Sequence, residues 1–585
     1  MYRGGAGSVP SALPDPIPAA DLRCAPDEGI AYRRGVYRPL PEGSLPEAPD
    51  DPALPRRGSG PPFRVHDEVP RVPQLAHLLG PSVIALGMGL GAGEFLLWPN
   101  LVVVNGFSIW WLFWVGVLTQ YVVIVEIERW TIATGESVFA GMARLTRRAF
   151  WPWCFVLATF VSFFWPGWAS QSAEFTVAVV VAAIGVSLPW QPVALAMLLV
   201  IYVGLAGSRI VYNALERFEI GLVLAFFPLL LGALAIIGVS WSDVAALVRG
   251  ALAVGTVPEA LLTGAQFPTL LVAVAYAGSG GTLLLAQSLW LRDKGFGMAA
   301  FQGRIAGIRG ENEPVSATGF VFDQRVNRIG LARFHCWMRV AERELLVIFG
   351  VLIVLSVVVT TLVVAGTLGT GRTDLAGNLT QMVTAQAAAL AARAGTWLEV
   401  SFLLGGVLVL FSTQVGIMDT IVRIAGTVTY ERLGRQRAGW TIKRAFLVWL
   451  TLLTLASCAI VMASWQGGEA VDRLQPDLLV VIGGPITIAS MYLYTLVIGI
   501  MNTARLPVEL APGPWRRLGL LWAAILWGWF TAEQTSRVVL GQLGAPGAVI
   551  ERVALHPVRV GLYGAWLASV GWFAWRMFRR LGRRP

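Results

Sequence analysis

The sequence predicts an all-α polytopic membrane protein of about twelve transmembrane helices, the first and sixth unwound in the middle. Three observations carry that expectation. Of the 585 residues, 56% are hydrophobic and only 14% charged, and the apolar residues fall in uncharged runs that reach the ~20 needed to cross a bilayer. Lys and Arg rise and fall in density from one loop to the next, as they do where loops alternate across a membrane. Two of the runs, one in each half of the chain, carry a cluster of glycines at their centre, which is the sequence mark of broken helices around a binding site.

Residues 1–70 are rich in Pro, Gly, Arg and acids and lack apolar periodicity. Such a segment buries too little surface to offset its ordering entropy and reads as a disordered or loosely docked cytoplasmic tail. A transmembrane domain over 71–585 follows, with spans expected at 75–104, 108–132, 152–184, 190–207, 217–239, 267–291, 345–368, 397–427, 442–464, 475–502, 515–535 and 557–578. The third carries Pro166, Gly167, Gln171 and Glu174 and is read as one long, locally distorted helix. No cleavable signal peptide is visible, since the first apolar run is too long for one.

One set of loops holds Arg129, Arg144, Arg147 and Arg148, then Arg209 and Arg217, the long 292–344 segment, the 432–444 cluster, Arg505, Arg516 and Arg517, and the C-terminal Arg579–Arg584 group. The intervening loops hold only Arg249, Arg372, Arg393, Arg473, Arg537 and Arg552. By the positive-inside rule both termini are cytoplasmic, in an inner or plasma membrane crossed an even number of times. This placement accounts for the net charge of +10 and excludes nucleic acid as a partner. In the 292–344 loop, Trp337, Val340 and Leu345 alternate with Arg339 and Arg343, suggesting an amphipathic segment on the inner membrane face. Cys24, Cys154, Cys336 and Cys458 are scattered singly and indicate neither a zinc site nor a disulfide framework.

The first span reads G-M-G-L-G-A-G-E, with Gly87, Gly89, Gly91 and Gly93 before the carboxylate of Glu94. Glycine disfavours helix by about 1 kcal/mol relative to alanine. An acid at this depth costs roughly 2.5–3.5 kcal/mol or more, and marks a functional site by default. The bland account of the glycines is close helix packing. The second cluster, Gly278, Ser279, Gly280 and Gly281, shifts the balance to two broken helices, because unwound backbone survives in a membrane only where it lines a cavity or is buried in protein.

These residues resemble the Nramp divalent-metal transporters, whose LeuT-type fold is built from two inverted five-helix repeats. Gly80-Pro81 stands where that family has G-P. Arg129-Trp130-Thr131-Ile132-Ala133-Thr134-Gly135 is similar to its R-L-G-I/V-V/A-T-G. Ala169-Ser170-Gln171-Ser172-Ala173-Glu174 is similar to its A-x-D-L-A-E, a pair associated with proton movement. The resemblance implies ten helices in two repeats plus two more, and a proton or coupling relay at Glu174 and Gln171. The metal motifs depart from the family: D-P-G-N falls on Gly91-Ala92-Gly93-Glu94, and M-P-H-N falls near Gly280-Gly281-Thr282-Leu283. The positions that choose the ion are those that changed.

The donors left at the site are oxygens: the Glu94 carboxylate, the Ser279 and Thr282 hydroxyls, and the backbone of Gly91, Gly93 and Gly280. Oxygen-only ligands suit hard cations such as Mg2+ or Mn2+, with Glu94 as the metal ligand. A G-x-G turn opening a half-helix also presents bare N–H groups to a carboxylate. The string GLGAGEFLLWP resembles the G-x-G segment of amino-acid–polyamine transporters, which implies an amino acid or amine as the alternative substrate. A third account makes Glu94 an internal partner, for example of Arg423. Asp419 and Arg423, four apart on the eighth span beside Gln414, form a same-face ion pair that is structural or part of a relay. Glu126 and Glu128 sit near the inner end of the second span and are expected to snorkel to water. Tyr492, Tyr494 and Asn502 are candidates to face a cavity, and His77 and His335 read as solvated. No G-x-S-x-G, H-E-x-x-H or Walker loop is present. The sequence thus points to a secondary transporter and not to an enzyme, without cofactor, whose partners are membrane lipid and a small cation or organic solute.

Overall fold

In the computed structural model, residues 61–72, 80–146, 148–258, 261, 266–311, 315–323, 327–465, 475–542 and 556–579 are described. The described residues are almost wholly helical. The first span consists of α1 (Pro81–Gly89), a π-helical stretch over Leu90–Leu97 and α2 (Trp98–Asn105). Then come α3 (Trp110–Thr134), α4 (Val138–Ala143), α5 (Phe150–Phe163), α6 (Gly167–Ile184), α7 (Trp190–Gly207), α8 (Val211–Ile237) and α9 (Trp241–Leu252). The sixth span is α10 (Phe267–Ala275), a non-helical turn, a 3-10 segment over Gly281–Ala286 and α11 (Gln287–Lys294). The second half continues with α12 (Arg328–Leu345), α13 (Leu352–Leu368), α14 (Leu379–Ala394), α15 (Thr396–Thr429), α16 (Ile442–Trp465), α17 (Pro476–Val481), α18 (Gly484–Arg505), α19 (Pro514–Gln542) and α20 (Pro557–Phe578).

Each of the twelve expected spans corresponds to helix over its described residues, with 75–79 of the first lying outside them. Among the described residues, nine helical runs are long and apolar enough to cross a membrane by length and composition. The expected interruption of the first span takes the form of a π-helix, not an unwound loop. The chain there leaves α hydrogen bonding but stays helical, because its glycines keep helical dihedrals and serve close packing instead. The third span divides at 164–166, where Pro166 precedes the first turn of α6; the ring removes an N–H that a continuous helix would use. Besides α12, which falls in the long 292–344 loop, three described helices lie outside the expected spans: α4, capped by the Ser137 hydroxyl, α9, capped by Ser240, and α14.

Two expectations about the Arg-rich face change. The amphipathic segment is α12, but its apolar face is buried in protein, with Trp337 at 1% exposure. The cover is the end of the tail: Trp337 Nε1 donates to the Pro70 carbonyl at 2.8 Å and Arg333 donates to Val69 at 2.9 Å. Residues 64–65 (β1) pair in parallel with residues 320–321 (β2), and the His66 ring stacks on Phe301 at 4.1 Å. Burial holds the pKa of His66 below its ordinary value. Residues 1–60 and His77 lie outside the described residues. Glu126 and Glu128 do not snorkel, being 0% and 1% exposed. Glu126 instead pairs with Arg129 at 2.9 Å and accepts from Asn502 Nδ2 at 2.9 Å, and Glu128 accepts from Gln287 at 2.9 Å. His335 is exposed. Cys336 is disulfide-bonded, unlike the isolated thiol expected.

Candidate functional site

The sixth span breaks because its backbone enters the left-handed region at Gly278, Gly280 and Gly281, with φ of 98°, 63° and 59°. Only glycine adopts these values without strain. The break frees backbone groups that must find partners inside the protein. Gly278 N donates to Glu94 Oε1 at 2.9 Å. Gln120 bridges it from α3, its Nε2 donating to the Ala275 carbonyl at 3.1 Å and its Oε1 accepting from Gly280 N at 3.3 Å. The Ser279 hydroxyl donates to the Ala85 carbonyl of α1, and Trp98 Nε1 donates to Ala273 at 3.1 Å.

The first span meets this break face to face. A Cβ on Gly89 would lie 3.0 Å from the Gly278 carbonyl carbon, and one on Gly93 would collide with the Tyr276 carbonyl oxygen. Gly91 points the other way, against Thr413 of α15. The two glycine clusters are therefore in direct contact, and Glu94, Ser279 and Gly280 all belong to the junction. Thr282 is wholly buried and its hydroxyl has no hydrogen-bond partner; the second carboxylate oxygen of Glu94 has none either. Beside Gly281 lies Phe163, against which a Cβ there would clash and which belongs to a trio of rings. Phe163 to Tyr276 is 5.9 Å, Trp168 to Tyr276 6.1 Å and Phe163 to Trp168 6.3 Å between centroids. Among the described residues no three His, Cys, Asp or Glu side chains group so as to hold a metal ion, and Glu94 is the carboxylate of the junction.

Glu94 does not pair with Arg423. Arg423 is held by Asp419, Nε to Oδ2 and Nη2 to Oδ1 both at 2.9 Å, and by Asp293 of α11. The same-face pair expected from the four-residue spacing is thus extended to a second, distant acid. Trp290 Nε1 adds a contact to Asp419 at 3.3 Å. Gln414 accepts from Ala169 N at 3.1 Å. Glu174 and Gln171 lie in a separate cluster on α6. Thr380 Oγ1 of α14 is 2.6 Å from Glu174 Oε2 and 3.2 Å from Asp477 Oδ1 of α17, and Gln171 Nε2 contacts both Thr380 and Glu174. Tyr494 is buried, and the Tyr492 hydroxyl meets Ser569 of α20.

Among the buried acids that escaped the sequence reading, one touches the first span. Glu219 of α8 is fully buried, accepts from Ser412 at 2.6 Å and lies where a Cβ on Gly87 would collide with it. The expected span began at 217, which put Glu219 at a helix mouth. The helix starts at Val211, so Glu219 lies two turns inside.

A helical membrane protein whose first and sixth spans meet at their interruptions defines a class of fold. Among solved structures, the chain is similar to a manganese transporter of Eremococcus coleocola. For one mutant form the TM-score is 0.57 at 11% identity, covering 87% of this chain and 97% of that chain. For the same transporter in complex with an aromatic bis-isothiourea substituted compound the TM-score is 0.57 at 11% identity, covering 90% and 100%. No protein-family model and no curated protein matches the sequence. The shared property is the fold, an all-α membrane architecture of the LeuT type.

Proposed function

We propose that the protein is a secondary transporter that moves a small cation by alternating access through the junction of its first and sixth spans. The observation that carries this reading is Glu94. It is fully buried, spends one carboxylate oxygen on the Gly278 N–H and leaves the other without a partner. A buried carboxylate without a counter-charge is expensive, and a positively charged substrate or a proton supplies one. The proposed binding group is Gly93, Glu94, Ser279, Gly280 and Thr282, with Gly91 contributing only its backbone because its open side faces Thr413. These are oxygen and amide donors, and a hard divalent ion such as Mg2+ or Mn2+ that keeps part of its water shell needs few of them. The fold likeness to a manganese transporter is consistent with that class. A second reading, a small organic solute such as an amine or amino acid, draws on Phe163, Trp168 and Tyr276, because an ammonium group is attracted to ring faces. In both readings the positive charge meets Glu94, the protein acts without enzymatic chemistry, and Glu174, Gln171, Asp419 and Arg423 are candidates for a coupling relay. The membrane is the inner or plasma membrane, with the Arg-rich face in the cytoplasm.

The test is a thermal-shift panel on purified protein with Mg2+, Mn2+, Ca2+, amino acids and polyamines, repeated on Glu94→Gln. Ligand that binds the folded state raises its unfolding temperature. Stabilisation by a divalent ion that vanishes in the variant supports the metal; stabilisation by an amine or amino acid alone supports the organic solute. Stabilisation that survives Glu94→Gln refutes the role given to the carboxylate.

A further inference from the structure

The Arg-rich face holds a cavity of about 300 Å³ that the transport reading does not use. It opens where the ends of α3, α11 and α15 converge with the tail. Its charged lining is Arg144, Arg292, Arg432 and Arg435 against Glu136 and Glu431. Most of these groups are committed to one another or to the backbone. Arg144 is fixed by Glu136, its Nε donating at 2.9 Å, and Arg435 donates to the Val315 and Ser316 carbonyls, each at 3.0 Å.

Arg292 differs. It is 2% exposed, yet its Nε and Nη2 have no hydrogen-bond partner. Its nearest carboxylate oxygens, on Asp293 and Glu431, stand at 3.6 and 3.7 Å, beyond hydrogen-bond range. Asp293 is already engaged by Arg423. A guanidinium buried with most of its five donors unused is costly, and its planar fork matches the oxygens of a phosphate or carboxylate. The Ser137 and Gln302 side chains, also in the lining, add neutral polar groups.

We propose that this cavity binds a phosphoryl anion, with Arg292 as its principal ligand and Arg432 beside it. The chemistry is that of a phosphate or diphosphate group, supplied by a soluble phosphorylated molecule or by an anionic lipid headgroup. The bound anion ties the end of the broken sixth span to the end of the eighth, and so favours the arrangement in which those ends are together.

The experiment follows thermal unfolding of the full chain in nanodiscs of phosphatidylcholine, titrated with inorganic diphosphate. A parallel arm replaces part of the lipid with phosphatidylglycerol. The proposal expects a saturable rise in unfolding temperature of about 2 °C or more with ligand in excess. Arg292→Gln weakens the apparent affinity at least about tenfold, as loss of a charge-assisted pair should. Arg292→Lys retains part of it. Ala140→Leu, which narrows the cavity while leaving every arginine in the sequence, weakens it as well and guards against misfolding of the arginine variant. Arg209→Gln, at an exposed position on the same face, leaves it unchanged. A rise with diphosphate assigns a soluble ligand, and a rise only with phosphatidylglycerol assigns a headgroup; both must be sensitive to Arg292. No saturable shift in either arm, or a shift in Arg292→Gln and Ala140→Leu equal to that of the unsubstituted chain, overturns the proposal.

Discussion

Gly278, Gly280 and Gly281 carry positive φ, whereas the glycines of the first span keep helical dihedrals and are there because something stands against them. The consequence is two different penalties for the same substitution. Gly280→Ala forces a side chain into left-handed backbone, about 1–2 kcal/mol, and against the Ala275 carbonyl. Gly93→Ala meets the Tyr276 carbonyl and costs about 1–3 kcal/mol by overpacking. Gly204→Ala on α7 meets nothing within 4 Å and should be neutral or stabilising by up to about 1 kcal/mol. Thermal unfolding of the three variants in detergent tests the order. At Glu94 the two roles separate: glutamine still accepts from Gly278 N, so Glu94→Gln should retain the fold and lose transport at least tenfold. Glu94→Ala should also lose about 1–3 kcal/mol, the cost of stranding a buried N–H. A glycine run in an apolar sequence was legible as an interruption, but which form it takes was not, since φ and close approach both select glycine. The partner of Glu94 was equally hidden, being 184 residues away.

At the scale of elements, helix identity was legible from apolar length, and helix contacts were not. The i,i+4 spacing announced the Asp419–Arg423 pair, but nothing local announces Asp293 across 130 residues. Arg423→Leu leaves both acids buried without their cation and should cost about 3–5 kcal/mol. Adding Asp419→Leu to that variant should recover part of the loss, and a double-mutant cycle should return a coupling above about 1 kcal/mol. The sequence reading left 1–70 disordered or loosely docked, and where its end docks was hidden for a similar reason: 61–72 is Pro-rich and charged, and its order comes from α12 and the β1–β2 pairing. His66 gives this element a pH dependence of definite sign. Its pKa is lowered on docking, so the undocked segment binds the proton better. Docking is therefore fully present above the free value of about 6.5 and declines as pH falls through it. Hydrogen exchange across 61–72 should be faster at pH 5.5 than at 7.5 once corrected for intrinsic rates, and His66→Phe should remove the difference.

Over the whole molecule, the alternation of Arg-rich and Arg-poor loops gave twelve spans and two faces, because membrane thickness and charge placement act on composition alone. The proposed alternating access asks more, namely that each face have ties that can be made and broken around the central junction. On the Arg-poor face the structure offers one in Thr380. A single hydroxyl on α14 stands between Glu174 of the third span and Asp477 of the tenth, while the α14 backbone at Leu379 and Thr380 also donates to Asp477 at 3.1 and 3.3 Å. A hydroxyl has one proton to donate, so Thr380 serves one of the two acids at a time, while Gln171 Nε2 donates to Glu174 and the α14 backbone holds Asp477. Thr380→Val keeps the shape and removes the donor. Hydrogen bonds to charged groups contribute about 1.5–3 kcal/mol, which corresponds to a rise of at least about tenfold in hydrogen exchange over 379–394. The increase should be confined to that face, with α12 and the β1–β2 pair unchanged. An equal increase on both faces would mean that the variant loosens the whole fold, and the hydroxyl would then be ordinary packing instead of a tie that opens one side.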